Sequence, residues 1–258
     1  MEKVYLLMLV LTVSACTYKA EEDGYPKDIK VSNSEGEPKD SLTFYLPASI
    51  CRDDHKIISE IDTLNLLWYS SSLYCTKEPI LYNYYLGHDI YRFLWLRSFH
   101  RPIVLTLHKD GNNVWLDMKE LDRQPRFLDE HIVTIKNIRF LPPLDEKTGE
   151  IDSTIKLDPP EIITDSIIKA DRQAKITLTL RKQLSLKEWA EFESILDSFS
   201  YWTTKPSWDS RGMDGSEWLI EGHSNNKYWF VHRWSPSDSL KVAGMYLISK
   251  SGIKENIY

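Results

Sequence analysis

The chain has 258 residues, a formal net charge of −6 and a pI near 5.7, which argues against a nucleic-acid partner because such a partner requires a basic surface. Hydrophobic residues make up 42% of the chain and charged residues 27%, as in an ordinary globular domain. At 258 residues, the chain is long enough to bury one sizeable core. Nine Trp and fourteen Tyr residues stand out, because these amphipathic side chains serve both in cores and in binding surfaces.

The N-terminus carries an export signal. Lys3 precedes an apolar stretch over 4–13, which is too short to span a bilayer as a permanent helix and fits a signal peptide at 1–15. The run from Val13 to Cys16 resembles a bacterial lipobox, which implies that Cys16 carries lipid and anchors the chain to a membrane. The acidic run after Lys19 resembles a surface-export signal, with a solvated tether as the alternative. These resemblances predict an envelope lipoprotein at the outer membrane, with cell-surface exposure as a further option.

Residues 16–41 are rich in charge, Ser, Gly and Pro, and this composition predicts a flexible tether before a single domain over 42–258. In an oxidising compartment, Cys51 and Cys75 are candidates for a disulfide, with two reduced thiols as the alternative.

The domain is expected to be α+β, with a mostly antiparallel sheet and about two main helices. Helical spacing of apolar residues predicts a first helix over 53–73, capped by Asp53 or Asp54, and the pair Ser185 and Glu188 predicts a capping box at the start of a second. Strands are predicted at 91–99, 103–108, 114–118, 131–140, 175–181 and 242–249, with a long acidic, Pro-rich loop near 141–165.

The stretch over 215–236 predicts a hairpin with its loop at 224–227. In that register Leu219 faces His232 and Glu221 faces Phe230, and the side-chain period of two separates two faces. One face carries Trp218 and Ile220 and is expected to be the core. The other is the candidate binding face, made of Glu221, His223, Tyr228, Phe230 and His232, with a purely structural cross-strand contact between Glu221 and His232 as the alternative.

Arg97, His100 and Arg101 extend this candidate surface, since with Arg92 they bracket the first strand and could bind an anion. The alternative is that they pair with acidic residues of neighbouring strands. We expect no cofactor, no metal and no catalytic residue, because the chain has no Gly-rich phosphate loop, no GxSxG and no HExxH. The leading hypothesis is a binding module for an envelope protein or small molecule. One alternative is a small hydrolase or metal-dependent enzyme using Glu221, His223 and His232, and another is an inhibitor or immunity-type protein.

Two segments together resemble a family of uncharacterised bacterial proteins. YRFLWLRSFHRPIVLTL (91–107) matches its Arg-Phe-x-x-Leu-Arg-x-Phe strand, and the stretch over 214–236 matches its Asp-Gly-x-x-Trp-x-x-Glu strand followed by Arg-Trp-Ser-Pro. The likeness covers roughly 68–250 and implies one continuous domain. It implies no activity and no catalytic residue.

Overall fold

The computed structural model of the chain describes residues 24–51, 57–126, 130–136, 161–168, 173–207, 214–225 and 227–254. For 51, 57–60, 130–136 and 161–168 it describes the backbone alone. Cys16 and the predicted signal peptide therefore lie outside the described residues, as does the Cys51 side chain. Lipidation and the disulfide both stay predictions.

One six-stranded antiparallel sheet forms the centre of the molecule. Its strand order is β10-β9-β3-β4-β5-β8. The strands are β3 (Asp89–Arg97), β4 (Ile103–Asp110), β5 (Asn113–Leu121), β8 (Ile176–Leu184), β9 (Ser216–Ser224) and β10 (Lys227–Trp234). Two antiparallel pairs stand apart from this sheet: β1 (Ser49–Cys51) with β2 (Ile57–Glu60), and β6 (Glu130–Lys136) with β7 (Glu161–Ile168).

Three α-helices occur in the described part of the chain: α1 (Thr63–Cys75), α2 (Leu186–Asp197) and α3 (Ser239–Ser251). A 3₁₀ turn follows α2 at Tyr201–Thr203. The predicted α+β architecture with a mostly antiparallel sheet is therefore confirmed, with one helix more than expected.

Each face of the large sheet packs against its own cover. The C-terminal face, which carries Phe93, Trp95 and Trp218, is covered by α2, α3 and the 3₁₀ turn. The N-terminal face, which carries Leu94 and Leu219, is covered by α1 and by residues 24–51, here called the N-terminal segment. Strands β3 and β9 are buried along both faces because they lie at the centre of this sandwich.

Local signals explain most of the boundaries. The hairpin between β4 and β5 turns at Gly111, whose φ of 55° lies in the region that favours glycine. The capping box at α2 is confirmed: the Ser185 side chain accepts a bond from the Glu188 N–H, and the Glu188 side chain accepts one from the Ser185 N–H.

The first predicted helix begins too early. Residues 57–60 form β2, and α1 starts only after Asp62, whose carboxylate accepts bonds of 3.0 Å from the N–H groups of Leu64 and Asn65. The expected caps Asp53 and Asp54 lie outside the described residues. The apolar periodicity alone would extend the helix toward residue 53, but the capping residue Asp62 sets the start of α1.

The last predicted strand is wrong, because 242–249 lies within α3. Asp238 caps this helix at its N-terminus, and its buried residues, including Leu240, Ala243, Leu247 and Ile248, follow helical spacing. An apolar run of eight residues is compatible with the periodicity of a strand and with that of a helix. The capping residues at its ends favour the helix.

The predicted tether also extends too far. Within the N-terminal segment, Tyr25 and Tyr45 are fully buried, and Asn83 donates to Ser32 Oγ at 2.8 Å. Residues 24–41 are thus part of the domain in spite of their polar composition. The predicted loop near 141–165 lies outside the described residues up to position 160, and its end is corrected because β7 begins at Glu161.

Candidate functional site

The β9–β10 hairpin has the predicted register. Glu221 pairs with Phe230 and Leu219 with His232, and the last pair before the loop is Ser224 with Lys227. Trp218 and Ile220 lie on the C-terminal face, as expected. The other face was expected to offer a binding surface, but it is covered by the N-terminal segment and α1, and Glu221 and Phe230 on it are completely buried.

Glu221 is the acidic partner of a buried arginine. Arg92, on neighbouring β3, donates from Nε to Glu221 Oε2 at 2.7 Å, and its Nη2 lies 2.5 Å from the same oxygen. Tyr228 donates its hydroxyl to Glu221 Oε1 at 2.9 Å. Burial raises the pKa of Glu221, and contact with Arg92 and Tyr228 opposes that rise. Because a guanidinium stays charged, we assign the pair as ionic.

The charged network continues across the sheet from Arg92. Arg92 Nη1 donates to the carbonyl of Pro79 at 2.6 Å and lies 3.9 Å from Glu78 Oε2. Glu78 accepts bonds from Thr106 on β4 at 3.1 Å and from the Lys119 ammonium on β5 at 2.7 Å. Two carboxylates and two cations therefore balance beneath the N-terminal segment, where unpaired charges would be costly.

His223 links the hairpin to the N-terminal segment through a hydrogen bond with Tyr25. The Leu86 N–H donates to its Nε2 at 3.0 Å, so the proton is assigned to Nδ1, which lies 2.8 Å from the Leu81 carbonyl and 3.0 Å from the Tyr25 hydroxyl. The Tyr25 hydroxyl also donates to the carbonyl of Ser224 at 2.7 Å. Burial lowers the pKa of His223 to about 4, so the ring is neutral at physiological pH.

His232 belongs to a separate buried contact. Its Nδ1 lies 2.8 Å from Glu217 Oε1 and 3.1 Å from the hydroxyl of Tyr69 in α1. Phe230 stacks beside the ring with centroids 6.3 Å apart.

Glu221, His223 and His232 therefore share a face but do not converge on one point. Each is engaged with its own partner, respectively an arginine, a pair of backbone groups and a carboxylate. No cluster of three His, Cys, Asp or Glu side chains in the described ranges could hold a metal ion. The arrangement stabilises the packing of the N-terminal face, and it offers no geometric support for the enzyme alternative.

The remaining candidates lie at the turn between β3 and β4. Arg97 is buried, stacks over Trp95 at 4.6 Å and donates to the Arg101 carbonyl at 2.7 Å. His100 and Arg101 are exposed, and Phe99 between Arg97 and Arg101 is 72% exposed. These residues border a depression of about 540 Å³ that also includes Arg123. Of the predicted binding residues, His100 and Arg101 are exposed and Tyr228 is partly exposed, whereas the others are buried.

Sequence reasoning missed an aromatic stack at the far end of the N-terminal face. His108 and Trp115 are paired across β4 and β5 with ring centroids 4.7 Å apart, and His88 Nε2 lies 3.0 Å from His108 Nδ1. Burial lowers the pKa of His108 to about 3, and His88 adds to the effect. Asp117 anchors the edge through two bonds from Arg181, of 2.6 and 2.7 Å. The β4–β5 hairpin register could have indicated the His108–Trp115 pair, but His88 comes from an irregular segment.

Comparison of the chain with protein-family models, curated proteins and solved structures gives no match in any of the three. The likeness to the family with paired segments therefore stays a prediction. Within the described part of the chain, no helix has the length and apolar character needed to cross a membrane.

Proposed function

We propose that this chain is a lipid-anchored domain of the bacterial cell envelope that binds another envelope protein through the turn between β3 and β4. The anchor is Cys16, in the context that resembles a lipobox. Lipid chains on this residue would hold the protein on the membrane, because each buried methylene contributes about 0.8 kcal/mol.

The observation that carries the proposal is the exposure of Phe99. A phenylalanine that is 72% exposed at the tip of a turn leaves its ring in water. Arg101 follows it, with a side chain that is 55% exposed and lies 3.8 Å from Glu120. Aromatic and arginine side chains are enriched at the centres of protein interfaces, where they contribute most of the binding energy.

The position of the turn in the fold suits this role. Tyr25, the first buried residue in the described part of the chain, contacts the β9–β10 hairpin at Ser224, whereas Phe99 lies at the other end of β3, near Gly215. Strands of nine residues separate the two ends by about 26 Å. The Phe99 turn is thus distant from the point where the chain leaves toward the membrane.

The anchor is tested by labelling growing cells with radioactive palmitate. The wild-type chain should incorporate label and partition with membranes, and the Cys16→Ala variant should do neither. Equal labelling of both proteins would contradict the assignment of Cys16.

The binding surface is tested by chemical crosslinking in cells, followed by purification of the lipoprotein. We expect one recurring protein partner whose recovery falls at least tenfold in Phe99→Ser, consistent with a central aromatic contact worth about 2 kcal/mol. Val242→Ser is the matched control, since Val242 is 55% exposed on α3. Equal recovery from both variants would refute the proposed surface.

A further inference from the structure

A second concave site lies on the N-terminal face of the sheet, away from the Phe99 turn. It is a groove of about 780 Å³ between the N-terminal segment and the C-terminal end of α1. This volume lies in the range of pockets that hold small organic ligands or a large side chain.

The walls of the groove are apolar and partly aromatic. Tyr45 and Tyr74 line it together with Pro38 and Pro79. Tyr45 is buried to 1% exposure in the core beneath, so its ring is held in place, whereas Tyr74 is partly exposed. Such rings attract cations through their π faces, and they also pack against apolar stems.

The charges at the groove are mainly acidic. Glu35 and Glu37 stand exposed at its rim, where one oxygen of each accepts a local hydrogen bond, from Ser34 at 2.7 Å and from Asn33 at 2.9 Å. Glu78 forms part of the floor, and Lys119 neutralises it at 2.7 Å. Lys77 is the one cation among the residues that line the groove in the described part of the chain. The rim therefore has an excess of negative charge.

The end of α1 adds a field of the same sign. The helix closes at Thr76, and the last residues of its final turn, Tyr74 and Cys75, line the groove. The C-terminal end of a helix carries a partial negative charge and stabilises a nearby cation. Lys119 already donates to the Thr76 carbonyl at 2.9 Å, so part of this field is neutralised and the rim carboxylates remain the main source of negative charge.

We propose that this groove binds an ammonium or guanidinium group carried on an apolar stem. The stem lies against Tyr45, Pro38 and Pro79, and the cation lies between the Tyr74 ring and the carboxylates of Glu35 and Glu37. The ligand is either a free alkylamine or a Lys or Arg side chain of a peptide, since both present the same chemistry.

The test is a calorimetric titration of the full-length lipoprotein in detergent with pentylamine, pentanol and pentanoate, three probes of similar size and different charge. We expect measurable binding of pentylamine only, and weaker binding in 0.5 M NaCl because salt screens the exposed carboxylates. Pentanol binding as tightly as pentylamine, or no binding of pentylamine at 10 mM, would overturn the proposal.

Variants locate the binding. The double variant Glu35→Gln/Glu37→Gln alters two exposed side chains and should weaken pentylamine binding about fivefold or more. Asp197→Asn, an exposed carboxylate change on α2, should leave it unaltered. Equal affinities in the two variants would place the amine elsewhere and refute the site.

A short peptide with a central lysine, titrated against the same peptide with norleucine, then distinguishes the two sources. Tighter binding of the lysine peptide than of pentylamine would identify a protein side chain as the ligand, and the reverse order would identify a free amine. Phe99→Ser serves in both titrations as a further control. The Phe99 turn and this groove are separate surfaces, so this variant should bind the probes like the wild type, and either proposal can fail without the other.

Discussion

Replacing Glu221 by glutamine removes one charge from a buried ion pair while preserving the size of the side chain. In the native protein the Glu221 carboxylate and the Arg92 guanidinium are both completely buried, and Arg92 Nε lies 2.7 Å from Oε2. The variant leaves a buried guanidinium whose nearest remaining carboxylate, in Glu78, is 3.9 Å away and is already bonded to Lys119.

The expected cost is large. Removing one partner of a buried ion pair typically destabilises by about 3–5 kcal/mol, because the other charge is left without compensation. We expect the lower end, about 3 kcal/mol, since a glutamine oxygen can still accept one bond from Arg92. With a slope of about 3 kcal/mol per molar urea, the unfolding midpoint should fall by about 1 M.

Urea unfolding followed by tryptophan fluorescence measures this shift, and nine tryptophans provide the signal. Arg92→Met should be destabilised to a similar extent, and the Arg92→Met/Glu221→Gln double variant by clearly less than the sum of the two, because it retains no unpaired charge. Asp197→Asn, on the exposed surface, should remain within about 0.5 kcal/mol of the wild type. A Glu221→Gln variant as stable as Asp197→Asn would refute the structural role of Glu221.

Three further measurements test other parts of the structure. The folded pKa of His223 is about 4 and its ordinary value is 6.5, so only the unfolded state binds this proton between those values. This site should therefore contribute a fall of up to about 3 kcal/mol in the free energy of unfolding from pH 6.5 to pH 4, beside the fall that the lowered pKa of His108 adds in the same window. His223→Gln should make the curve shallower in this window, and an unchanged slope would contradict the neutral, buried ring. Gly244→Ala should lower the thermal midpoint, at a cost of about 1–3 kcal/mol, because a Cβ would lie 2.4 Å from the Trp218 ring; a rise would mean that helix propensity prevails over packing. Ser185→Ala should cost about 1 kcal/mol in urea unfolding through loss of the α2 cap, and no change would contradict the capping box.

Short-range patterns predict the sheet well. The β9–β10 register follows from alternation and a two-residue turn, and the α2 cap follows from two residues three positions apart. In each case the physical cause lies within about twenty residues of chain. Such interactions can be deduced from sequence because the backbone geometry alone brings the partners together.

The burial of the candidate binding face could not be deduced in the same way. Arg92 is separated from Glu221 by 129 positions, and Tyr25 from His223 by 198. The alternation of polar and apolar residues along a strand is the same whether a glutamate on it faces water or a buried arginine. Composition predicts that residues 24–41 are flexible, but the burial of Tyr25 and the hydrogen bond from Asn83 to Ser32, neither of which the sequence shows, hold them on the domain.

The accessible turn was part of the prediction, but its central residue was not. Arg97, His100 and Arg101 were predicted for their charge, whereas the large apolar side chain exposed beside them is Phe99. Its exposure depends on where the turn ends and what covers it, and neither is visible in the sequence.

Photo-crosslinking in living cells tests the proposed function most directly. A photoreactive phenylalanine analogue is placed at position 99, and in a parallel strain at position 242, with the rest of the chain unchanged. We expect a discrete protein adduct from position 99 that is absent from position 242. The absence of any adduct at position 99, or the same adducts from both positions, would contradict the claim that this turn binds an envelope protein.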